Sequence, residues 1–135
     1  MRILSILALA LAALILASTT TAAAGAPVIK YRDDQFGSVL ATPKKQALYY
    51  WRVEKRAGGK IRCTGSCAKA WPPLYAKGVV PKKIRGIAGT FGTVRRPDGR
   101  RQVTFNGLAI YAYAHEGPTQ VLCNNVNGWF VVRVR

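Results

Sequence analysis

Tyr49-Tyr50-Trp51-Arg52-Val53-Glu54 is answered further along the chain by Tyr111-Ala112-Tyr113-Ala114-His115-Glu116. An aromatic, a second aromatic two places on and a carboxylate three beyond that recur in the same order and spacing. On a strand, successive side chains point to opposite faces, so Tyr49 and Trp51 share one face, as do Tyr111 and Tyr113. Each copy then closes on a tryptophan and an apolar run, Trp71-Pro72-Pro73-Leu74 and Trp129-Phe130-Val131-Val132. A repeat of this length is one supersecondary unit that cannot bury its own apolar face. The expected fold is therefore mainly β, a small single domain built of two related β-rich repeats with hairpins.

Upstream of the two motifs, Phe36-Gly37-Ser38-Val39-Leu40 is similar to Phe91-Gly92-Thr93-Val94, and each is expected to open a repeat. Glycine after the aromatic permits a bend or bulge. The first copy turns at Thr42-Pro43-Lys44-Lys45 and enters a strand over Leu48 to Glu54. The second passes a proline-led turn at Arg96-Pro97-Asp98-Gly99 and alternates through Arg101 to Phe105. It then reverses at Asn106-Gly107, the strongest hairpin signal in the chain. These boundaries give repeat one as 36–78, repeat two as 91–135, and 25–35 as a polar leader.

One short helical turn is expected, from Ser66 to Ala70, within Cys63-Thr64-Gly65-Ser66-Cys67-Ala68-Lys69-Ala70-Trp71-Pro72-Pro73-Leu74. Gly65 allows a tight turn and Ser66 can cap the helix, while the two prolines force an extended exit. Three cysteines on an exported chain suggest one disulfide and one residual thiol. Cys63 with Cys67 is the local pairing and the one expected, leaving Cys123 free. A link from either to Cys123 would constrain the unfolded chain more strongly, and spacing alone does not choose.

Residues 1–24 read as an export signal. Arg2 supplies the positive start, Ile3 to Ala17 is apolar or small except for Ser5, and Ala22-Ala23-Ala24 fits the small-residue cleavage rule before Gly25. The run is shorter than the roughly 20 residues needed to span a bilayer, so removal is expected, with no transmembrane segment in the mature chain. Removal takes only Arg2 from a formal charge of +16, set by 21 basic and 5 acidic residues. In a cytosolic protein such a balance would point to nucleic acid; on an exported chain it points to anionic envelope polymers or an acidic protein partner. Simple solubility is the bland alternative. Arg95, Arg96, Arg100 and Arg101, flanking the turn at Pro97 to Gly99, are the candidate anion-binding residues. The expected location is periplasmic or secreted.

The two-copy pattern resembles the secreted-repeat family of bacterial proteins known for a Tyr-x-aromatic-x-x-Asp motif, often lipoproteins and described as of unknown function. The resemblance rests on Tyr49 to Glu54, on Cys63 to Leu74, and on Arg96 to Gly107 ahead of the second motif. It implies a β-rich repeat and an exported address and carries no activity. The chain departs from the pattern at Glu54 and Glu116, where Asp is usual, and at Ala109, where proline is usual. Cys123 is an additional thiol, and the lipid-attachment cysteine is missing, which implies a soluble member and not an anchored one.

Packing is the expected role of Tyr49, Trp51, Tyr111 and Tyr113, because so small a domain needs its large side chains inside. An aromatic platform for a sugar or planar cofactor is the functional alternative. Glu54 and Glu116, out of register with the aromatics, are expected on the opposite face, paired with arginines at the surface. As paired carboxylates of a hydrolase they lack any accompanying nucleophile or oxyanion motif. His115 with the three cysteines would complete a zinc set, but the ligand spacings are absent. No catalytic residue, metal or cofactor is therefore assigned. The expected function is a non-enzymatic binding or scaffolding module acting through a basic surface. The runner-up is a redox, haem or metal-binding accessory protein using Cys63 to Cys67. Mass spectrometry of protein recovered from the envelope or medium should show an N-terminus within a couple of residues of Gly25, and intact Met1 would refute cleavage.

Overall fold

The structure, a computed structural model, describes residues 25–135; the expected export signal lies outside them. Ile29-Lys30-Tyr31-Arg32-Asp33 alternates half-buried and exposed side chains and forms β1 (Ile29–Asp33). It pairs antiparallel with β2 (Gly37–Ala41), from Ile29 opposite Ala41 to Asp33 opposite Gly37. The Asp33 carboxylate closes the turn by accepting the amides of Gln35 and Phe36 at 2.9 and 2.8 Å. After β3 (Tyr49–Trp51) come two single-turn helices, α1 (Arg52–Arg56) and α2 (Ser66–Ala70). A second hairpin follows, β4 (Phe91–Arg95) with β5 (Arg101–Phe105), and β5 turns back into β6 (Leu108–Ala109). Asn106 and Gly107 both take positive φ, 49° and 81°, the conformation a two-residue hairpin turn demands. The chain ends with β7 (Trp129–Val131). The fold is mainly β, as expected.

The two aromatic motifs meet at one residue each. The Tyr49 amide donates to the Tyr111 carbonyl at 2.8 Å, and the Tyr111 amide returns the bond to Tyr49 at 2.9 Å. Outside this pair, β3 is flanked by β7 of the second copy, with Tyr49 opposite Val131 and Trp51 opposite Trp129. Tyr111 is bridged on its outer side by Pro73 of the first copy. Each aromatic motif thus lies between the other motif and the other copy's closing segment. Two closed triangles of amide bonds carry the same relation. Leu40 donates to Val132, Val132 to Leu48 and Leu48 to Leu40, each at 2.9 Å. Val103 donates to Leu74, Leu74 to Ile110 and Ile110 to Val103, at 2.8, 3.0 and 3.2 Å.

Alternation along these segments sorts the core into two layers. Leu40, Leu48, Val103, Ile110 and Val132 join Val28, Phe91 and Phe105 on an aliphatic side. Tyr49, Tyr111, Trp71 and Trp129 lie on the opposite, aromatic side with Cys63 and Cys123. There, Trp71 and Trp129 stack with ring centres 3.9 Å apart. Each meets its own copy's tyrosine edge-on, Tyr49 at 5.2 Å and Tyr111 at 5.1 Å. The second aromatics extend the column at both ends, with Trp51 against Trp129 and Tyr113 against Trp71. Stacked and edge-on pairs of this kind add to the burial term, so the two-copy core is held by ring geometry as well as by area.

Three expectations change. Residues 29–33 are not a polar leader but a full strand, and the first unit begins there. Phe36–Leu40 and Phe91–Val94 are consequently not equivalent: β2 corresponds to β5, since Leu40 and Val103 hold matching places in the two triangles. A Phe-Gly pair beside a strand does not reveal which arm of a hairpin it belongs to. Nor does the strand from Leu48 run on to Glu54. It stops at Trp51, where the Arg52 amide donates to Gly128, and α1 follows as a second helix beside the expected one at Ser66–Ala70. The second motif likewise leaves extended structure at Ala114 and His115, which form a turn.

Gly89 stands at φ +136°, and a side chain there would run into the ring of Phe105. Gly89→Ala should lower stability by about 2–3 kcal/mol through overpacking and backbone strain. Gly99→Ala, at φ +83° but facing open space, should cost only about 1 kcal/mol. Denaturant midpoints of the two variants against wild type provide the check.

Candidate functional site

Where the sequence places Glu54 and Glu116 on the surface beside arginines, the structure buries both, at 1% and 7% exposure. The helical turn at α1 swings Glu54 inward, replacing the period of two by one of 3.6. Its Oε2 accepts the amides of Arg62 at 2.7 Å and Cys63 at 3.1 Å. The Tyr111 hydroxyl donates to the same carboxylate at 2.8 Å. Arg96 lies on the far side of that hydroxyl, its Nη1 3.5 Å away. The guanidinium also donates to the Gln102 side chain at 2.7 Å and to the Cys63 carbonyl at 2.6 Å. Arg96 is 4% exposed and is therefore not a surface anion-binding residue. It is the internal cation opposite Glu54.

The second copy repeats the first in mirror order. Tyr49 donates to Glu116 Oε2 at 2.6 Å, and the same oxygen accepts the Leu122 amide at 3.0 Å. The motifs are thus cross-wired, each tyrosine holding the other copy's glutamate. Burial, reinforced by these hydrogen bonds, holds both phenol groups protonated well above their ordinary range. Among the described residues no arginine hydrogen-bonds Tyr49 or Glu116 as Arg96 does Tyr111. Burial raises the Glu116 carboxyl, and the bonds from Tyr49 and the Leu122 and Cys123 amides offset this only in part. Glu116 Oε1 and the Tyr31 hydroxyl are both buried without a partner.

Cys63 and Cys67 are joined as a disulfide, the pairing expected, and Cys123 is a free, buried thiol. Burial, with the nearby Glu116 charge, raises the Cys123 thiol, so it stays protonated and is a poor nucleophile. Among the described residues no three His, Cys, Asp or Glu side chains gather as a metal-ligand set, and His115 is exposed, edge-on to Tyr113. No helix of the described residues is long and apolar enough to cross a membrane.

Three of the four candidate arginines reach solvent. Arg95 donates to the Gly99 carbonyl at 3.1 Å and Arg101 to the Gly78 carbonyl at 2.7 Å. The Arg100 guanidinium lies 3.3 Å over the ring of Tyr75. Beside Arg100 and Arg101 opens a cavity of about 560 Å³, lined also by Tyr75, Lys77 and Val79. A second basic area escapes sequence reading. Arg52 sits over Phe130, Lys55 over Tyr50 and Arg133 over Phe36, at 5.2, 5.6 and 5.4 Å. The half-buried pair Tyr50 and Phe130 stack on each other between β3 and β7. Its signal was the off-phase aromatics Tyr50 and Phe130, which alternation assigns to the face opposite Tyr49 and Trp129.

Residues 28–75 match the model of a family described as a secreted repeat of unknown function. The matched stretch runs from the residue before β1 to just beyond the Trp71 closing segment, one copy of the two. No curated protein and no solved structure matches the chain.

The two carboxylates should answer differently to neutralisation. Glu54→Gln weakens the acceptor of the Arg62 and Cys63 amides and the Tyr111 hydroxyl, all charge-assisted bonds, and should cost about 2–3 kcal/mol. Glu116 has a raised folded pKa, so its share of stability is fully present below the ordinary carboxylate range. That share is lost as pH rises through the raised value. Glu116→Gln should therefore cost less than about 1.5 kcal/mol at neutral pH and gain on the wild type as pH rises. Urea unfolding of both variants between about pH 4 and 8 provides the comparison, with a pH-independent gap for Glu116→Gln counting against the assignment.

Proposed function

We propose that this protein is an exported, non-enzymatic binding or scaffolding module that holds an anionic envelope polymer or acidic partner through a basic surface. The observation that carries the reading is where the few acids lie. Of five, Glu54 and Glu116 are buried, which leaves Asp33, Asp34 and Asp98, two of them engaged with the amides of turns. Three aspartates are few against the lysines and arginines, several of which rest over aromatic rings. A surface so one-sided in charge raises the local concentration of any polyanion and resists self-association. The family description as a secreted repeat supports the exported address.

Within this surface, Arg95, Arg100 and Arg101 are the residues assigned to anion contact, with Lys77 beside them. Their guanidinium groups keep free N–H donors while one edge is pinned to a backbone carbonyl or a ring, an arrangement that orders a charge without neutralising it. Binding to a soluble polyanion such as polyphosphate should weaken steeply between about 20 and 200 mM salt as screening sets in. Arg100→Ala with Arg101→Ala should weaken it further, about tenfold at low salt. Titration by fluorescence anisotropy reads both, and salt-independent binding would defeat the proposal.

A further inference from the structure

We infer that the loop from Tyr75 to Arg85 docks the protein on an anionic lipid bilayer, with Val79 entering the membrane interface and the surrounding cations contacting lipid phosphates. This deepens the basic-surface reading and rests on it. The loop follows the first copy's closing segment and carries Lys77-Gly78-Val79-Val80-Pro81-Lys82-Lys83-Ile84-Arg85. Its two valines are neighbours with opposite fates. Val80 is half-buried and packs against the aliphatic core, whereas Val79 is 88% exposed, the most exposed large apolar side chain among the described residues. Ile84 also packs inward. The loop is thus anchored on both sides of a tip that points away from the protein.

That tip is held in place. The Gly78 carbonyl accepts from Arg101 at 2.7 Å, and the Ala76 amide donates to the Arg101 carbonyl at 2.9 Å. Arg100 lies flat on Tyr75. Behind, Lys83 donates to the Gly89 carbonyl and the Thr90 hydroxyl at 3.2 and 3.1 Å. Lys77, Lys82, Lys83, Arg85, Arg100 and Arg101 are all exposed around or beside it, and the loop itself carries no acid. An apolar point ringed by cations is complementary to one kind of surface, an apolar layer covered by anionic headgroups. A soluble polyanion satisfies the cations but gives Val79 nothing to enter. A flat acidic protein would have to offer a matching apolar pocket.

The test uses the mature chain with vesicles of phosphatidylcholine alone, vesicles containing 30% phosphatidylglycerol, and soluble polyphosphate. Binding is expected to the anionic vesicles and to polyphosphate and not to phosphatidylcholine vesicles. Val79→Ser should weaken vesicle binding about tenfold while leaving polyphosphate binding unchanged, because burial of one valine side chain is at stake and no charge is added among the cations. Val79→Trp should shift its emission to shorter wavelength with anionic vesicles and stay unshifted with polyphosphate. Val79 is solvent-exposed, so neither variant should disturb folding, which circular dichroism confirms. Equal vesicle binding by wild type and Val79→Ser, or an unshifted Val79→Trp, overturns the inference and leaves the basic-surface reading standing. Binding to polyphosphate alone does the same, and binding to neither ligand overturns both.

Discussion

Everything in this domain depends on the reciprocal pair of amide bonds between Tyr49 and Tyr111. Two chain segments that exchange both hydrogen bonds at one residue are fixed in register, and a slip of one place would turn every ring to the wrong face. From that point the tyrosine side chains reach across to the opposite copy's carboxylates, and the closing tryptophans come face to face. Backbone, phenol–carboxylate contact and ring stack all obey the same approximate twofold relation. Three kinds of interaction agreeing on one geometry is what gives a small core a single packed state.

The symmetry is broken in charge. One carboxylate has a guanidinium across the tyrosine hydroxyl, and the other has a thiol and an unpartnered phenol nearby. The first carboxylate accepts two amides and a phenol, with the guanidinium behind that phenol. The second leaves one oxygen unpartnered, and burial raises its carboxyl, since an acid buried without a counter-charge can take up a proton. The disulfide falls on the first copy's side, where Cys63 also lends its amide to Glu54 and its carbonyl to Arg96.

Much of this was legible before any coordinates. Spacing identifies the shared face of Tyr49, Trp51, Tyr111 and Tyr113, and Asn106-Gly107 announces its hairpin. What alternation could not show is where a strand ends. Arg52-Val53-Glu54 continues the polar and apolar alternation on paper, yet the chain turns helical at Arg52 and the carboxylate goes inside. Arg96 is misleading for a related reason: a pair such as Arg95-Arg96 looks like surface charge, and only the tertiary position of Glu54 and Tyr111 draws one member in. Ile29 to Asp33 is the opposite case. Its alternation was present, but two adjacent acids and a glutamine after it gave the segment the look of a tail.

The exchange of closing segments has a bearing on how such a chain comes to be folded as it emerges N-terminal end first. Leu40 and Leu48 complete their triangle only with Val132, and β3 finds its outer neighbour only in Trp129 to Val131. The leading half therefore arrives with unpaired strand edges and must stay open until the last residues emerge. Contacts that link the two ends of a chain are slow to form and leave sticky edges waiting. A formal charge of +16 keeps neighbouring chains apart during that wait, so the excess of lysine and arginine has a use before the domain has any shape.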